Sequence, residues 1–375
     1  TLLFLTLISF TSSARSKQIS PLPISAYGSL PNASSVKLSP NGENVAMIQN
    51  KNGSLILMVY NLTTGESQAL LQADNVGVVL NWYTWGNDDI LLISAAYTSK
   101  QGMAKYTSTR LYKFDLSKDK KLKLLIKPKK AKSEIFAQFQ DNIISLMPAQ
   151  PDKILMAIGF EMHNKPSLYE VNIRTNRRTR IKRAKSYIED WVADQQGRAR
   201  ISYQLDETKV SYVLFDTEGK IVRDLWSYEV FEKEVVHVLG FDLDPNILYI
   251  RALHQGRNAV FKVNLTDEAL KRELIYADNK YDVDGSLIYS PKTGAVVGLS
   301  HKGNNDNKVY WDDEYIAFKK ALNNEDTKAR ASKSINTYSK YFPTTEICFF
   351  NGVESGKEYT VACWVNKSTT ARTSD

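Results

Sequence analysis

Residues 37–66, KLSPNGENVAMIQNKNGSLILMVYNLTTGE, decide the fold. Pro40-Asn41-Gly42 bends the chain and residues 44–48 run extended. Asn52-Gly53 bends it again before the apolar run 55–60, and Asn61-Leu62-Thr63-Thr64-Gly65 turns it into 67–71. An Asn-Gly pair between β-branched and aromatic runs specifies a hairpin, because both residues tolerate the positive φ of a tight turn. A single unit of this kind cannot bury its faces alone, so its recurrence decides the architecture.

The unit recurs in degenerate form. The second has Trp82-Tyr83-Thr84-Trp85-Gly86-Asn87, the third Pro151-Asp152, the fourth Trp191 and Gln195-Gln196-Gly197, the fifth Asp244-Pro245-Asn246 and the sixth Tyr289-Ser290-Pro291. The Asn or Asp that closes the third strand falls at 61, 115, 172, 216, 264, 312 and 366, at intervals of 44 to 57 residues. Several short strands per period of about 50 residues describe propeller blades. A β-sandwich would not repeat the same turn chemistry seven times. The expectation is an all-β, seven-bladed β-propeller of four-stranded antiparallel blades. Blades are expected near 35–73, 76–128, 136–184, 188–228, 235–277, 284–325 and 334–375, the last ragged and incomplete. Residues 314–323 read as a helix inserted in the sixth unit.

Composition agrees with a soluble strand-rich chain: 375 residues, 43% hydrophobic, 24% charged, with 20 Tyr and 14 Phe. The apolar run 2–10 followed by Thr11-Ser12-Ser13-Ala14 reads as the remnant of a secretory signal, residues 1–16, without its basic start. It is too short to cross a bilayer. Residues 17–34 then lead into the fold. The expectation is a secreted or periplasmic protein with no membrane span. Cys348 and Cys363 set no disulfide framework by themselves, and whether they pair stays open.

The net charge of +8 raises nucleic acid as a partner. The basic runs 118–132, with eight lysines, and 174–185 start just after the turn that closes the third strand, which puts them on outermost strands. Charged outer edges oppose edge-to-edge aggregation, and neither run carries the interleaved aromatics on which bases stack. No nucleic-acid partner is expected.

Catalytic signals are absent. The four histidines, His163, His237, His254 and His301, are scattered without metal-ligand spacing, and no phosphate or dinucleotide loop exists, so neither cofactor nor metal is expected. His237, in the apolar stretch 235–239, reads as a buried core histidine. The nearest approach to a nucleophile elbow, Gly298-Leu299-Ser300-His301-Lys302-Gly303, has one residue too many and leads into a polar loop rather than a helix. Ser300 and His301, neighbours on a strand, point to opposite faces. Asp242, Asp244, Asp282 and Asp284 read as turn residues. The acidic cluster Glu229, Glu232 and Glu234 follows Trp226-Ser227-Tyr228; Glu229 and Glu232 are the candidates for holding a peptide amino terminus, against the alternative of a solvated loop.

Taken in order, a signal-like start, Leu22-Pro23-Ile24-Ser25-Ala26-Tyr27, Val36-Lys37-Leu38-Ser39-Pro40-Asn41-Gly42, Leu287-Ile288-Tyr289-Ser290-Pro291 and Tyr310-Trp311-Asp312-Asp313-Glu314-Tyr315 resemble the amino-terminal propeller of exported bacterial serine peptidases of the prolyl oligopeptidase family, in the acylaminoacyl-peptidase and dipeptidyl-aminopeptidase-like branch. The resemblance spans roughly residues 22–370. It implies a propeller that gates and positions short peptides for an α/β-hydrolase domain carrying a Ser-Asp-His triad. That domain is absent from this sequence, so no catalytic residue carries over, and a truncated or frame-disturbed product is expected. The alternative is a stand-alone TolB-like binding propeller of the cell envelope.

Overall fold

The recurring Asn or Asp ends each third strand for a reason visible in its hydrogen bonds. In a computed structural model of the protein, Asn61 Oδ1 accepts the N–H groups of Thr63 (3.0 Å) and Thr64 (2.8 Å). Asn172 does the same for Arg174 and Thr175, Asp216 for Glu218 and Lys220, Asp115 for Ser117, and Asn264 for Thr266. A short side chain that caps its own turn favours a bend over a continuing strand. The next residue then reaches back to the turn between the first and second strands: Leu62 N–H to Glu43 O, Leu116 to Asp89, Ile173 to Asp152 and Leu265 to Asn246, all within 2.7–2.9 Å.

The structure describes residues 33–323, apart from 52, 74–76, 102, 119, 128–136, 233–234, 291–292 and 302–307, together with 348–350 and 361–363. Blade one comprises β1 (Ala33–Leu38), β2 (Asn44–Lys51), β3 (Ser54–Asn61) and β4 (Ser67–Ala73). Blade two holds β5 (Val78–Trp85), β6 (Ile90–Gln101), β7 (Ala104–Asp115) and β8 (Leu122–Leu124). Blade three holds β9 (Ile143–Ser145), β10 (Lys153–Met162), β11 (Lys165–Asn172) and β12 (Arg178–Lys182). Blade four holds β13 (Ile188–Ala193), β14 (Ala199–Asp206), β15 (Lys209–Phe215) and β16 (Ile221–Glu229). Blade five holds β17 (His237–Phe241), β18 (Ile247–His254), β19 (Arg257–Asn264) and β20 (Arg272–Tyr276). Within each blade the strands pair antiparallel in sequence order.

Blade six has three strands, β21 (Leu287–Tyr289), β22 (Val296–Ser300) and β23 (Lys308–Tyr310), followed by the helix α1 (Asp313–Asn323). Asp312 opens the helix: its Oδ1 accepts the Tyr315 N–H at 3.0 Å and its carbonyl accepts that of Ile316 at 2.9 Å. Among the described residues six blades form, not the seven that the repeat suggests. Where the seventh was expected, the described residues are β24 (Cys348–Phe350) paired with β25 (Val361–Cys363). Two strands of three residues do not by themselves make a blade, because a sheet needs more strands before it has a face to bury. The expected signal segment 1–16 lies outside the described residues, and so does the lead-in up to residue 32.

The blades pack face to face around the propeller axis. On β6, Leu91 and Ile93 meet Ala46 and Leu57 of blade one, while Ile90 and Leu92 meet Ile154 and Met156 of blade three. The two-residue period of a strand thus feeds two cores at once. Leu155, Leu168, Trp191 and Phe215 join blades three and four; Leu214, Tyr228, Leu248 and Ile250 join four and five; Tyr249, Val260, Val296 and Leu299 join five and six. First strands lie innermost, where β13 touches both β9 and β17. The basic runs fall on β8 and β12, the outer strands of blades two and three.

Candidate functional site at the mouth of the central channel

Each connection between blades returns the chain from an outer strand to the start of the next inner strand, so polar residues at those starts gather on one face of the propeller. Between blades two and three an open cleft of about 510 Å³ is lined by Trp82, Thr84, Asp141, Asn142, Ile143 and Leu146. Asp141 is fixed rather than free. Its carboxylate accepts hydrogen bonds from Ser94 Oγ (2.6 Å) and from Thr109 Oγ1. The segment leading to it is tied to β7 by Gln138 Nε2 donating to Thr107 O (2.7 Å) and Arg110 donating to Gln138 O (3.0 Å).

Asn142 reaches from this cleft toward blade four, its Nδ2 lying 3.5 Å from Asp190 Oδ1 on β13. Asp190 is exposed on the inner strand. Desolvation raises its carboxyl above the ordinary aspartate value, against the lowering effect of the Trp191 N–H and of Asn142. It has no cationic partner among the described residues. A carboxylate without a cationic partner, next to an amide that also lines the cleft, suits an ammonium-bearing ligand.

On blade five, His237 opens the inner strand and stands opposite Arg251 of β18. His237 is exposed, which corrects its reading as a core histidine: the apolar pattern 235–239 continues past it, but a strand start at the channel leaves the first side chain open. Partial desolvation by the surrounding protein, and then the Arg251 charge, lower the His237 pKa.

Glu229 ends β16, and the turn after it brings Glu232 Oε1 to 3.3 Å from the Glu229 N–H; both carboxylates are exposed. That turn is on the same side of blade four as the β14–β15 hairpin, because the Val230 N–H bonds Thr208 O at 2.9 Å. It belongs to the outermost strand, and Asp190 to the innermost. Asp244 caps its own turn, whereas Asp282 accepts the N–H of the distant Asn258 on β19. Asp242 also binds the Val296 N–H of blade six, and Asp284 faces His301. Ser300 and His301 go separate ways, Ser300 to the backbone of Ser286 and the buried His301 to Asp278 and Asp284, each at 3.3 Å. No group of three or more metal-ligating residues exists among the described residues, and no described helix is long and apolar enough to cross a membrane.

Trp82, Asp141, Asp190 and Arg251 were not singled out from the sequence. Part of their signal was present: Asp141 and Asp190 lie at or near the start of an inner strand, and Arg251 stands opposite such a start on the second strand, whereas Trp82 lies within β5.

No known sequence family matches the chain, and no curated protein matches it in sequence. Among solved structures the chain is similar to the dipeptidyl peptidase 4 of Porphyromonas gingivalis, at 13% identity and a TM-score of 0.44, covering 78% of this chain and 47% of that one. It is similar to an acylaminoacyl peptidase of Pyrococcus horikoshii at 12% identity and a TM-score of 0.41, with the same coverage. TolB from Acinetobacter baumannii is similar over 62% of this chain and 52% of its own, at 11% identity and a TM-score of 0.33. The chain therefore spans about half the length of these proteins, and at such distances the likeness assigns it to no family.

Proposed function

We propose that the chain is the non-catalytic propeller domain of an exported serine peptidase of the prolyl oligopeptidase type, and that its channel mouth binds and positions short peptides. The observation that carries this reading is Asp190, a carboxylate without a cation beside the cleft walled by Trp82 and Asn142. A peptide ammonium is the missing charge, and the indole face accepts a neighbouring apolar side chain. The sequence phrases shared with peptidase propellers support the same direction. The exposed pair Glu229 and Glu232 is a second location for the ammonium.

Isothermal titration of the chain with zwitterionic dipeptides tests the reading. Binding in the millimolar range or tighter, weakened tenfold or more by Asp190→Asn, is the expected result; weakening by the Glu229→Gln/Glu232→Gln double variant instead moves the site to the outer turn. Chromogenic aminoacyl substrates should show no serine-dependent turnover. Absence of dipeptide binding defeats the peptide reading and favours a stand-alone TolB-like envelope propeller. Export, proposed from the apolar start, is tested by fractionating cells that express the full chain.

A further inference from the structure

Arg251 carries a positive charge that nothing in the described structure balances. Its Nε is shielded from water and has no hydrogen-bond partner, and the guanidinium makes no ion pair among the described residues. Placing a cation against protein without a counter-ion costs free energy unless an anion or water completes it. Arg200 of blade four and Arg174 of blade three are placed differently. Arg200 donates to Phe215 O at 2.7 Å and lies 3.5 Å from the buried Asp194, and Arg174 is paired with Asp89 and Asp152.

The surroundings of Arg251 are set by register. Directly opposed residues of an antiparallel pair share a face, so His237 on the inner strand stands beside Arg251. The same row continues outward through Val260 to Tyr276 and contains no carboxylate. Arg251 lies two residues from Tyr249, which packs toward blade six, so the pair faces the space between blades five and six at the channel end. Of the three carboxylates on the connection to blade six, Asp278 and Asp284 face His301, and Asp282 accepts the Asn258 N–H at 2.7 Å.

We infer that Arg251 and His237 form a binding site for a carboxylate-bearing ligand, with the Arg251 guanidinium as the charge partner and a His237 ring N–H as a second donor. A planar guanidinium matches a carboxylate through two parallel N–H···O bonds. The low proton affinity of His237 in the free protein fits this role, because the neutral ring still donates one N–H while adding no repulsion to Arg251. The assignment does not depend on the peptide reading, since any accessible carboxylate qualifies.

Long-range ¹H–¹⁵N NMR of the histidine rings tests it on the intact chain. N-acetylglycine is the probe, with its neutral methylamide as control and ionic strength held constant with sodium chloride. The expected result is a saturable shift of the His237 resonances by the acid alone and a rise in the His237 pKa when the acid is bound. His301, between its two aspartates, should not respond. Arg251→Gln, which keeps the stem, should weaken binding tenfold or more, and Arg251→Lys should be intermediate. The inference is overturned by a linear response, by equal effects of acid and amide, or by undiminished binding in Arg251→Gln. Tighter saturation by inorganic phosphate than by the acid overturns the carboxylate assignment. A dipeptide that binds without moving His237 would leave the peptide reading standing and defeat this site.

Discussion

Lys113 Nζ donates to the carbonyl oxygen of Ile173 at 2.6 Å, and so ties the third strand of blade two to the end of the third strand of blade three. The same ammonium donates to Arg174 O at 2.7 Å, and in the opposite direction Asn176 Nδ2 donates to Leu124 O and Leu125 O. Lys113 is 6% exposed and Ile173 is fully buried, so the Ile173 carbonyl has little access to water. Lys113→Met keeps the stem but leaves both carbonyls without their donor, at a cost of about 2–3 kcal/mol. Urea denaturation should show the loss in midpoint with an unchanged slope; a change below about 0.5 kcal/mol would mean that water replaces the ammonium freely.

Gly285 sits at φ +94° on the connection to blade six, and a Cβ there would lie 1.8 Å from the carbonyl oxygen of Ser300. Gly285→Ala meets backbone, not a movable side chain, and should cost about 3 kcal/mol or more. Gly53, at φ +85° in the first hairpin, has nothing within 4 Å of its would-be Cβ. Gly53→Ala should therefore cost only the backbone term, about 1 kcal/mol. Thermal melts of the two variants should differ in that order.

Alkaline unfolding should begin near the ordinary tyrosine pKa of 10.0. Burial raises the phenols of Tyr83, Tyr97, Tyr212 and Tyr249 above it, and pushes Tyr289 up to about 12 with help from Asp242. Above pH 10.0 the unfolded chain loses these protons while the folded chain retains them. The contribution to stability is therefore complete below that pH and is lost as pH rises through the folded values. Tyrosinate absorbance and sheet circular dichroism should change together. Gradual ionisation with the sheets intact would contradict the burial.

Asp190→Asn should separate stability from binding. The folded carboxyl pKa is raised by desolvation, so ionised Asp190 weakens the fold once pH passes that value, and the penalty is absent below the ordinary 3.8. The variant should melt higher than the parent at neutral pH, equal it under strongly acid conditions, and bind dipeptides more weakly. A lower melting temperature at neutral pH would show that the carboxylate is structural.

The propeller was legible because its turns are local. Asn61, Asp115, Asn172, Asp216 and Asn264 each announce a bend through their own side chains, and the outer basic strands come from counting on from those positions. The number of blades was not. Asp312 repeats the same letter yet caps a helix, so blade six shows three strands among the described residues and the period alone does not count the blades. The site was hidden for a different reason. Asn142 and Asp190 are 48 residues apart, and only the stacking of sheets brings them within 3.5 Å. His237 misled because an apolar window reports average burial, whereas register decides which member faces the channel.

The division of each sheet between two cores has a consequence for how the chain acquires its structure. Leu91 and Leu92 are adjacent in sequence but belong to different interblade layers, so blade two holds half of each layer and the whole of neither. The segment that repeats is the blade, but the cooperative element is the seam between two blades. Folding should spread seam by seam from any neighbouring pair, in the manner of a nearest-neighbour chain, and a lone blade should gain order only when the next one arrives.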